Sequence, residues 1–115
     1  MTWIPRYRFT WASQAVQFPV KGRPGITLAD NCPSWVRTLL HRDEHGRLQG
    51  ILYYYTEDTG LEKPGHINML VKSVRQRRGI GTSLLEEAMR RWPVDLDQQN
   101  YTDAGRALVA RVRRP

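Results

Sequence analysis

The segment best suited to chemistry is a basic loop with two glycines at residues 72–82. It reads Lys-Ser-Val-Arg-Gln-Arg-Arg-Gly-Ile-Gly-Thr. Gly79 and Gly81 lack a Cβ, so the backbone can turn sharply and let a large anion approach its N–H groups. The guanidinium groups of Arg77 and Arg78 can each hold two phosphate oxygens at once. These residue types therefore predict a phosphate-binding loop.

The elements on either side of this loop would position it. Ile67, Met69 and Val71 recur at period two, which predicts a strand over 66–72. After the loop, apolar residues recur at spacings of three and four, which predicts an amphipathic helix: Ile80, Leu84, Leu85, Ala88, Met89 and Trp92. A strand that leads directly into a helix points the unpaired N–H groups of the helix at the loop.

Two common glycine-rich phosphate motifs do not fit these residues. A Walker A loop requires Lys after its last glycine, where this chain has Thr82. A dinucleotide-binding fingerprint requires a third glycine, where this chain has Leu84.

A different family does resemble the loop. Gln76-Arg77-Arg78-Gly79-Ile80-Gly81 is similar to the Q/R-x-x-G-x-G/A pyrophosphate loop of the GNAT family of N-acetyltransferases. The similarity extends from about residue 26 to the C-terminus. It implies an α+β fold, a mixed and mostly antiparallel sheet flanked by helices, within a single domain over 1–115. Residues 1–25 would add an N-terminal strand and loop.

The resemblance also implies a cofactor, its contacts and a reaction. Acetyl-coenzyme A would donate an acetyl group directly to a primary amine, and no metal would take part. The implied cofactor-binding residues are Met69, Leu70, Val71, Gln76, Arg77, Arg78, Gly79, Ile80, Gly81 and Thr82. A backbone N–H near the end of the 66–72 strand would stabilise the oxyanion.

The reaction needs a base, because an amine is mostly protonated at neutral pH. The family often places Glu or His on this strand nine residues before Gln76, where this chain has Ile67. His66 is the nearest titratable group, although strand alternation directs it to the opposite face from Ile67. We take His66 and Tyr101 as the catalytic candidates. Tyr55, Asp95 and a water-mediated route remain open.

Two departures from the family bear on the acceptor. The sequence stops at Pro115 without the usual strand hairpin, and its last predicted helix lacks the tyrosine that protonates the leaving thiolate. An open acceptor groove would favour an amine on a protein or other macromolecule over a small metabolite. It would also allow a homodimer to supply the missing wall.

Composition limits the remaining possibilities. The chain has 115 residues and a net charge of +7, which would attract coenzyme A, nucleic acid or an acidic protein. A weakly catalytic acyl-coenzyme A-binding protein and a basic nucleic-acid-binding module therefore stay as alternatives. Cys32 is the only cysteine, which excludes an intramolecular disulfide and suits the cytoplasm. We expect no membrane segment, and no metal at the His41 and His45 pair.

The rest of the chain gives a coarse secondary-structure prediction. Its strands lie over 6–11, over 48–55, where both faces are covered, and around 94–96. A helix runs from Asp30 to Arg42 and a last helix begins after Thr102, with a loop over 19–25 and turns at 43–46 and 57–60. The alternating Arg and aromatic residues of 6–11 could alternatively stack bases. The 48–55 and 66–72 strands should form an antiparallel pair.

Overall fold

The computed structural model describes residues 18–19, 21–29, 32–72, 79–97 and 103–113. In these residues the elements follow in the order β1 (Gly25–Leu28), β2 (Val36–Arg42), β3 (Leu48–Tyr55), β4 (Ile67–Val71), α1 (Ile80–Arg91) and α2 (Asp103–Arg113). The strands form one antiparallel sheet in sequence order, and the two helices pack on it. The fold class is therefore α+β, as predicted.

Apolar side chains on both faces of the sheet form two clusters. The helix-side core comprises Leu39, Leu52, Tyr54, Ile67, Met69, Val71, Ile80, Leu84, Leu85, Ala88, Leu96, Leu108 and Val109. The far-side core comprises Val36, Leu40, Leu48, Ile51, Tyr53 and Tyr55. From Ile51 to Tyr55, neighbouring β3 residues alternate between the two clusters, as the pleat of a strand requires.

Strand β3 confirms the prediction of a strand covered on both faces. All eight of its residues, Leu48–Tyr55, are buried. It pairs with β4 in an antiparallel register in which Gly50 lies opposite Val71 and Tyr54 lies opposite Ile67. The predicted antiparallel pair is therefore confirmed as well.

The predicted helix from Asp30 to Arg42 is wrong, because residues 36–42 form strand β2. Leu39 belongs to the helix-side core and Leu40 to the far-side core, so this strand is buried on both faces. Such a strand carries neighbouring apolar residues, and over a short run their spacing imitates a helical stripe. Residues 30 and 31, the expected helix cap, lie outside the described residues.

The predicted strand around 94–96 is also wrong. The N–H of Val94 bonds to the carbonyl of Trp92, and Asp95 accepts a hydrogen bond from the N–H of Asp97, so the segment turns locally. At the other end of the described chain, β1 begins at Gly25, the last residue of the predicted loop, and was not predicted.

Both helices were predicted, although their surroundings are only partly described. Helix α1 ends at Arg91, just before Pro93, which cannot extend a helix. Helix α2 confirms the last predicted helix, but its expected cap, Thr102, lies outside the described residues, as does the predicted strand over 6–11. Neither described helix is long and apolar enough to cross a bilayer.

Candidate functional site

Gly79 is the described end of the predicted phosphate-binding loop. Its φ of 82° is in the left-handed region, which favours glycine, and it stands at the N-cap of α1. Gly79 is exposed, and a Cβ at this position would meet no atom of the described residues within 4 Å. Residues 73–78 lie outside the described residues, and with them Gln76, Arg77 and Arg78.

The first turn of α1 has polar groups available for a ligand. The N-cap makes no side-chain hydrogen bond, and the turn contains no acidic residue. The first helical hydrogen bond runs from the N–H of Ser83 to the carbonyl of Gly79, at 2.9 Å. The N–H groups of Ile80, Gly81 and Thr82 therefore have no acceptor within the helix, and the helix dipole places partial positive charge there.

Ile80 and Gly81 have packing roles in addition to their place in the motif. Ile80 is buried in the helix-side core. A Cβ on Gly81 would lie 3.2 Å from Met69 Sδ and 3.4 Å from a methyl carbon of Leu108. The absence of a side chain at Gly81 thus lets α1 approach both β4 and α2. Of the two glycines in the motif, Gly79 is exposed and Gly81 is partly buried.

Hydrogen bonds at the two ends of β4 establish which way its backbone faces. The N–H of Lys72 bonds to the carbonyl of Gln49, and the N–H of Tyr55 bonds to the carbonyl of His66, both at 2.9 Å. The even-numbered residues of β4 therefore point their N–H and C=O groups at β3. The backbone groups of Leu70 are thus used in the hydrogen bonds between the two strands. Met69 turns its N–H and C=O to the outer edge of β4.

The chain returns to the beginning of β4 after α1. The N–H of Asp95 bonds to the carbonyl of Gly65 at 3.0 Å. Gly65 has a φ of 93°, and a Cβ there would lie 3.1 Å from Asp95 Cβ. The 93–97 segment therefore lies next to the start of β4, at the opposite end of the strand from the loop.

The same end of the sheet holds a buried carboxylate–imidazole pair. Glu62 Oε2 lies 3.0 Å from His66 Nδ1, and the two residues are only 8% and 7% exposed. His66 was a sequence candidate, whereas Glu62 was not predicted. A Pro-Gly turn separates the two residues, so no helical or strand periodicity links them.

No protein-family model, curated protein or solved structure matches this chain. The candidate site is therefore defined by the residues of the chain itself. Its two parts are the strand–loop–helix junction around Gly79 and the Glu62–His66 pair.

The other catalytic candidates have separate surroundings. Tyr55 lies across from His66, and its hydroxyl accepts a 2.7 Å hydrogen bond from Asn68 Nδ2. Burial raises the Tyr55 pKa to about 12, so this phenol stays neutral at pH 7. Asp95 binds the N–H of Asp97 through Oδ1. Tyr101 lies outside the described residues.

Exposed cations surround the loop end of the sheet. Lys72 follows β4 directly. Arg47 lies beside the turn between β2 and β3, and its backbone pairs with that of Lys21 in an isolated antiparallel β-bridge. Arg23 is exposed two residues further on. This end of the sheet therefore favours anions.

No group of three His, Cys, Asp or Glu residues suitable for a metal occurs in the described part of the chain.

Proposed function

We propose that this chain is an acetyl-coenzyme A-dependent N-acetyltransferase with a GNAT-like domain. The observation that carries the proposal is Gly79. It is left-handed and open to solvent, directly precedes an uncapped helix N-terminus, and belongs to a six-residue pattern that resembles the pyrophosphate loop of that family.

Each part of the junction would have a role in holding the cofactor. The first-turn N–H groups of α1 would bind the pyrophosphate, together with the arginines of the 75–78 segment. The outward backbone of Met69 would hydrogen-bond an amide of the pantetheine arm. The exposed cations Lys21, Arg23, Arg47 and Lys72 would raise the local concentration of an anionic cofactor.

The reaction is a direct acyl transfer within a ternary complex. A neutral primary amine attacks the thioester carbonyl, the C–N bond forms, and the C–S bond breaks to release coenzyme A. Proton removal from the amine must come first, because an alkylammonium has no lone pair to attack with. We favour an amine on a protein or other macromolecule as the acceptor, and a homodimer remains compatible with this function.

Calorimetry with acetyl-coenzyme A at low salt tests the cofactor site. We expect binding in the micromolar range, at roughly −8 kcal/mol, that Gly79→Val strongly weakens. Gly60→Val is the matched control, because Gly60 also has a positive φ, of 88°, and open surroundings, but lies in the loop between β3 and β4. Absence of binding at about millimolar ligand would overturn the proposal. Equal weakening by both variants would remove the loop from the site.

Release of free thiol from acetyl-coenzyme A tests the chemistry separately. Lysine-containing peptides and small amines serve as acceptors, and transfer is followed over time. Thiol release that requires both the chain and an amine supports the acetyltransferase. Tight binding without thiol release would instead make the chain a cofactor-binding protein.

Nucleic-acid binding is the second candidate, and the cluster of cations at the loop end of the sheet favours it. Such binding falls steeply with salt, because phosphate contacts release counterions. A short RNA that binds tightly at low salt, while acetyl-coenzyme A neither binds nor stabilises the fold, would favour this alternative. Competition between the two ligands would place both on the same cations.

A further inference from the structure

Arg42 is a buried cation at the end of β2. It is only 6% exposed. It follows a shift in the register of β2 and β3, after which it pairs with Leu48, and irregularities of this kind redirect side chains. Paired residues of neighbouring strands share a face of the sheet, and Leu48 belongs to the far-side core. The Arg42 side chain therefore lies on the face opposite the two helices.

The Arg42 guanidinium has few partners for a buried charge. Nη2 donates a 2.8 Å hydrogen bond to the carbonyl of Pro19. Nε is closed to solvent and has no acceptor among the described residues, and none of their carboxylates lies within ion-pair distance of Arg42. Nη1 also makes no hydrogen bond with these residues, and it is the nitrogen that reaches solvent. One neutral carbonyl leaves most of the N–H donors and the charge uncompensated.

The nearest acidic side chains in the sequence have other partners. Asp43 Oδ1 accepts hydrogen bonds from the N–H groups of His45 and Arg47, both at 2.9 Å. Glu44 is exposed, and its carboxylate lies 3.5 Å from the His45 ring. The acids of the turn between β2 and β3 therefore do not neutralise Arg42.

Two glycines bring the backbone of the 21–23 segment directly onto the guanidinium. A Cβ on Gly22 would lie 2.7 Å from Arg42 Cζ and 2.8 Å from Arg42 Nε. A Cβ on Gly46 would collide with the carbonyl oxygen of Gly22, whose N–H donates to the Gly46 carbonyl at 2.9 Å. Because glycine lets backbone approach this closely, the segment and the turn hold the guanidinium between them.

Further cations border the buried guanidinium. Lys21 and Arg23 flank Gly22 in the sequence, and the backbone of Arg47 pairs with that of Lys21. All of these residues are exposed. Their charges add to that of Arg42, so the local field attracts anions and favours a dianion over a monoanion. The fork of N–H donors on a guanidinium matches the oxygens of phosphate.

We propose that Arg42 is the centre of a phosphate-binding site, which takes inorganic phosphate or the phosphate group of a monoester. The phosphate oxygens accept hydrogen bonds from Nη1 and Nη2, where the side chain reaches solvent, and Lys21 and Arg23 balance the second negative charge. This site lies on the opposite face of the sheet from α1, and it does not depend on the proposed function. Free phosphate and the 3′-phosphate of coenzyme A are two sources of the same chemical group.

Calorimetry and thermal unfolding with inorganic phosphate test the site, with sodium chloride at equal ionic strength as the reference. Arg42→Met is the decisive variant, because methionine fills similar space without charge. In the absence of phosphate it should unfold at the same temperature as the wild type or higher, since an uncompensated buried charge is removed. Phosphate at about ten times Kd should raise the wild-type Tm by about 5 °C. Arg42→Met should bind phosphate at least about tenfold more weakly.

Arg37→Met is the matched control. Arg37 is on the same strand and also donates to backbone carbonyls, those of Ser34 and Val36, but it is exposed. We expect this variant to keep the phosphate affinity of the wild type. Phosphate also stabilises proteins generally through exclusion from their surface, and that effect persists in both variants. Gly22→Ala keeps every charge but places a methyl group against the guanidinium, so it should weaken phosphate binding as well.

The outcomes decide the site separately from the acetyltransferase. Saturable phosphate binding that is lost in Arg42→Met and kept in Arg37→Met supports the proposal. Wild-type protein without saturable binding overturns it, as does equal affinity in Arg42→Met and the wild type. Should Arg42→Met fail to fold, the wild type and Gly22→Ala decide, and equal affinity of these two overturns the site.

Competition identifies the source of the phosphate group. Displacement of phosphate by acetyl-coenzyme A, but not by its 3′-dephospho analogue, supports a site for the 3′-phosphate of the cofactor. Simultaneous binding of phosphate and acetyl-coenzyme A supports a separate site for free phosphate or another monoester. Acetyl-coenzyme A that binds normally to a wild type with no phosphate site leaves the proposed function intact.

Discussion

Gly50 of β3 lies directly beneath Ile80 of α1. A Cβ on Gly50 would lie 2.9 Å from Ile80 Cγ2 and 3.0 Å from Leu84 Cδ1. This missing side chain allows the first turn of α1 to rest on β3 at the loop end of the sheet, opposite Val71, and so sets the height of the helix N-terminus next to the loop.

Gly50→Ala should therefore lower the free energy of unfolding by about 1–3 kcal/mol, the usual cost of overpacking a core. Urea denaturation gives the value. The same substitution in an Ile80→Ala background should cost less, because the methyl group that it meets is gone. An equal cost in both backgrounds would contradict this contact.

Substitutions at Gly79 should lower stability through backbone strain. We expect Gly79→Ala to reduce stability by about 1–2 kcal/mol, since an L-residue is strained at a φ of 82°. Gly79→Asn should cost less, because asparagine tolerates the left-handed region. Thermal unfolding of the two variants checks the order, and a larger loss for asparagine would contradict it.

His41 should make stability fall in mild acid. Burial lowers the pKa of His41, only partly opposed by its backbone hydrogen bond and by Asp43. A lowered folded-state pKa means that protons bind the unfolded chain better. The contribution of His41 to stability is therefore fully present above a pH of about 6.5, the ordinary pKa of histidine. It is lost as the pH falls through the lowered folded-state pKa.

Unfolding free energies at about pH 7.5 and about pH 5 measure this effect. His41→Gln should flatten part of the slope, whereas His45→Gln at an exposed position should leave it unchanged. Identical slopes for His41→Gln and the wild type would contradict the prediction.

Tyr55 should contribute a loss of stability in alkali. Burial raises its pKa to about 12 in the folded state, so the phenol ionises more readily in the unfolded chain. Its contribution is complete below the ordinary value of about 10 and disappears as the pH rises toward 12. Denaturation across this range should show a smaller slope for Tyr55→Phe, and an unchanged slope would oppose the assignment.

The sequence predicted an element correctly where its hydrophobic pattern fitted only one type of secondary structure. The stripe of α1 and the run of β3 were found because length and turn residues distinguish a long helix from a fully buried strand. The prediction failed at β2, where Leu39 packs in the helix-side core and Leu40 in the far-side core. Together with Val36, these apolar residues have the spacing of a helical stripe. Glu62 was missed because the contact with His66 depends on the Pro-Gly turn between them and has no periodic signature.

The packing at Gly81 couples the proposed ligand site to the last helix. Met69 of β4, the first turn of α1 and Leu108 of α2 meet at this residue. A ligand that orders the first turn stabilises the native state relative to forms in which α2 has opened, by thermodynamic linkage. Amide hydrogen exchange in α2, distant in sequence from the loop, should therefore slow when the proposed site is occupied.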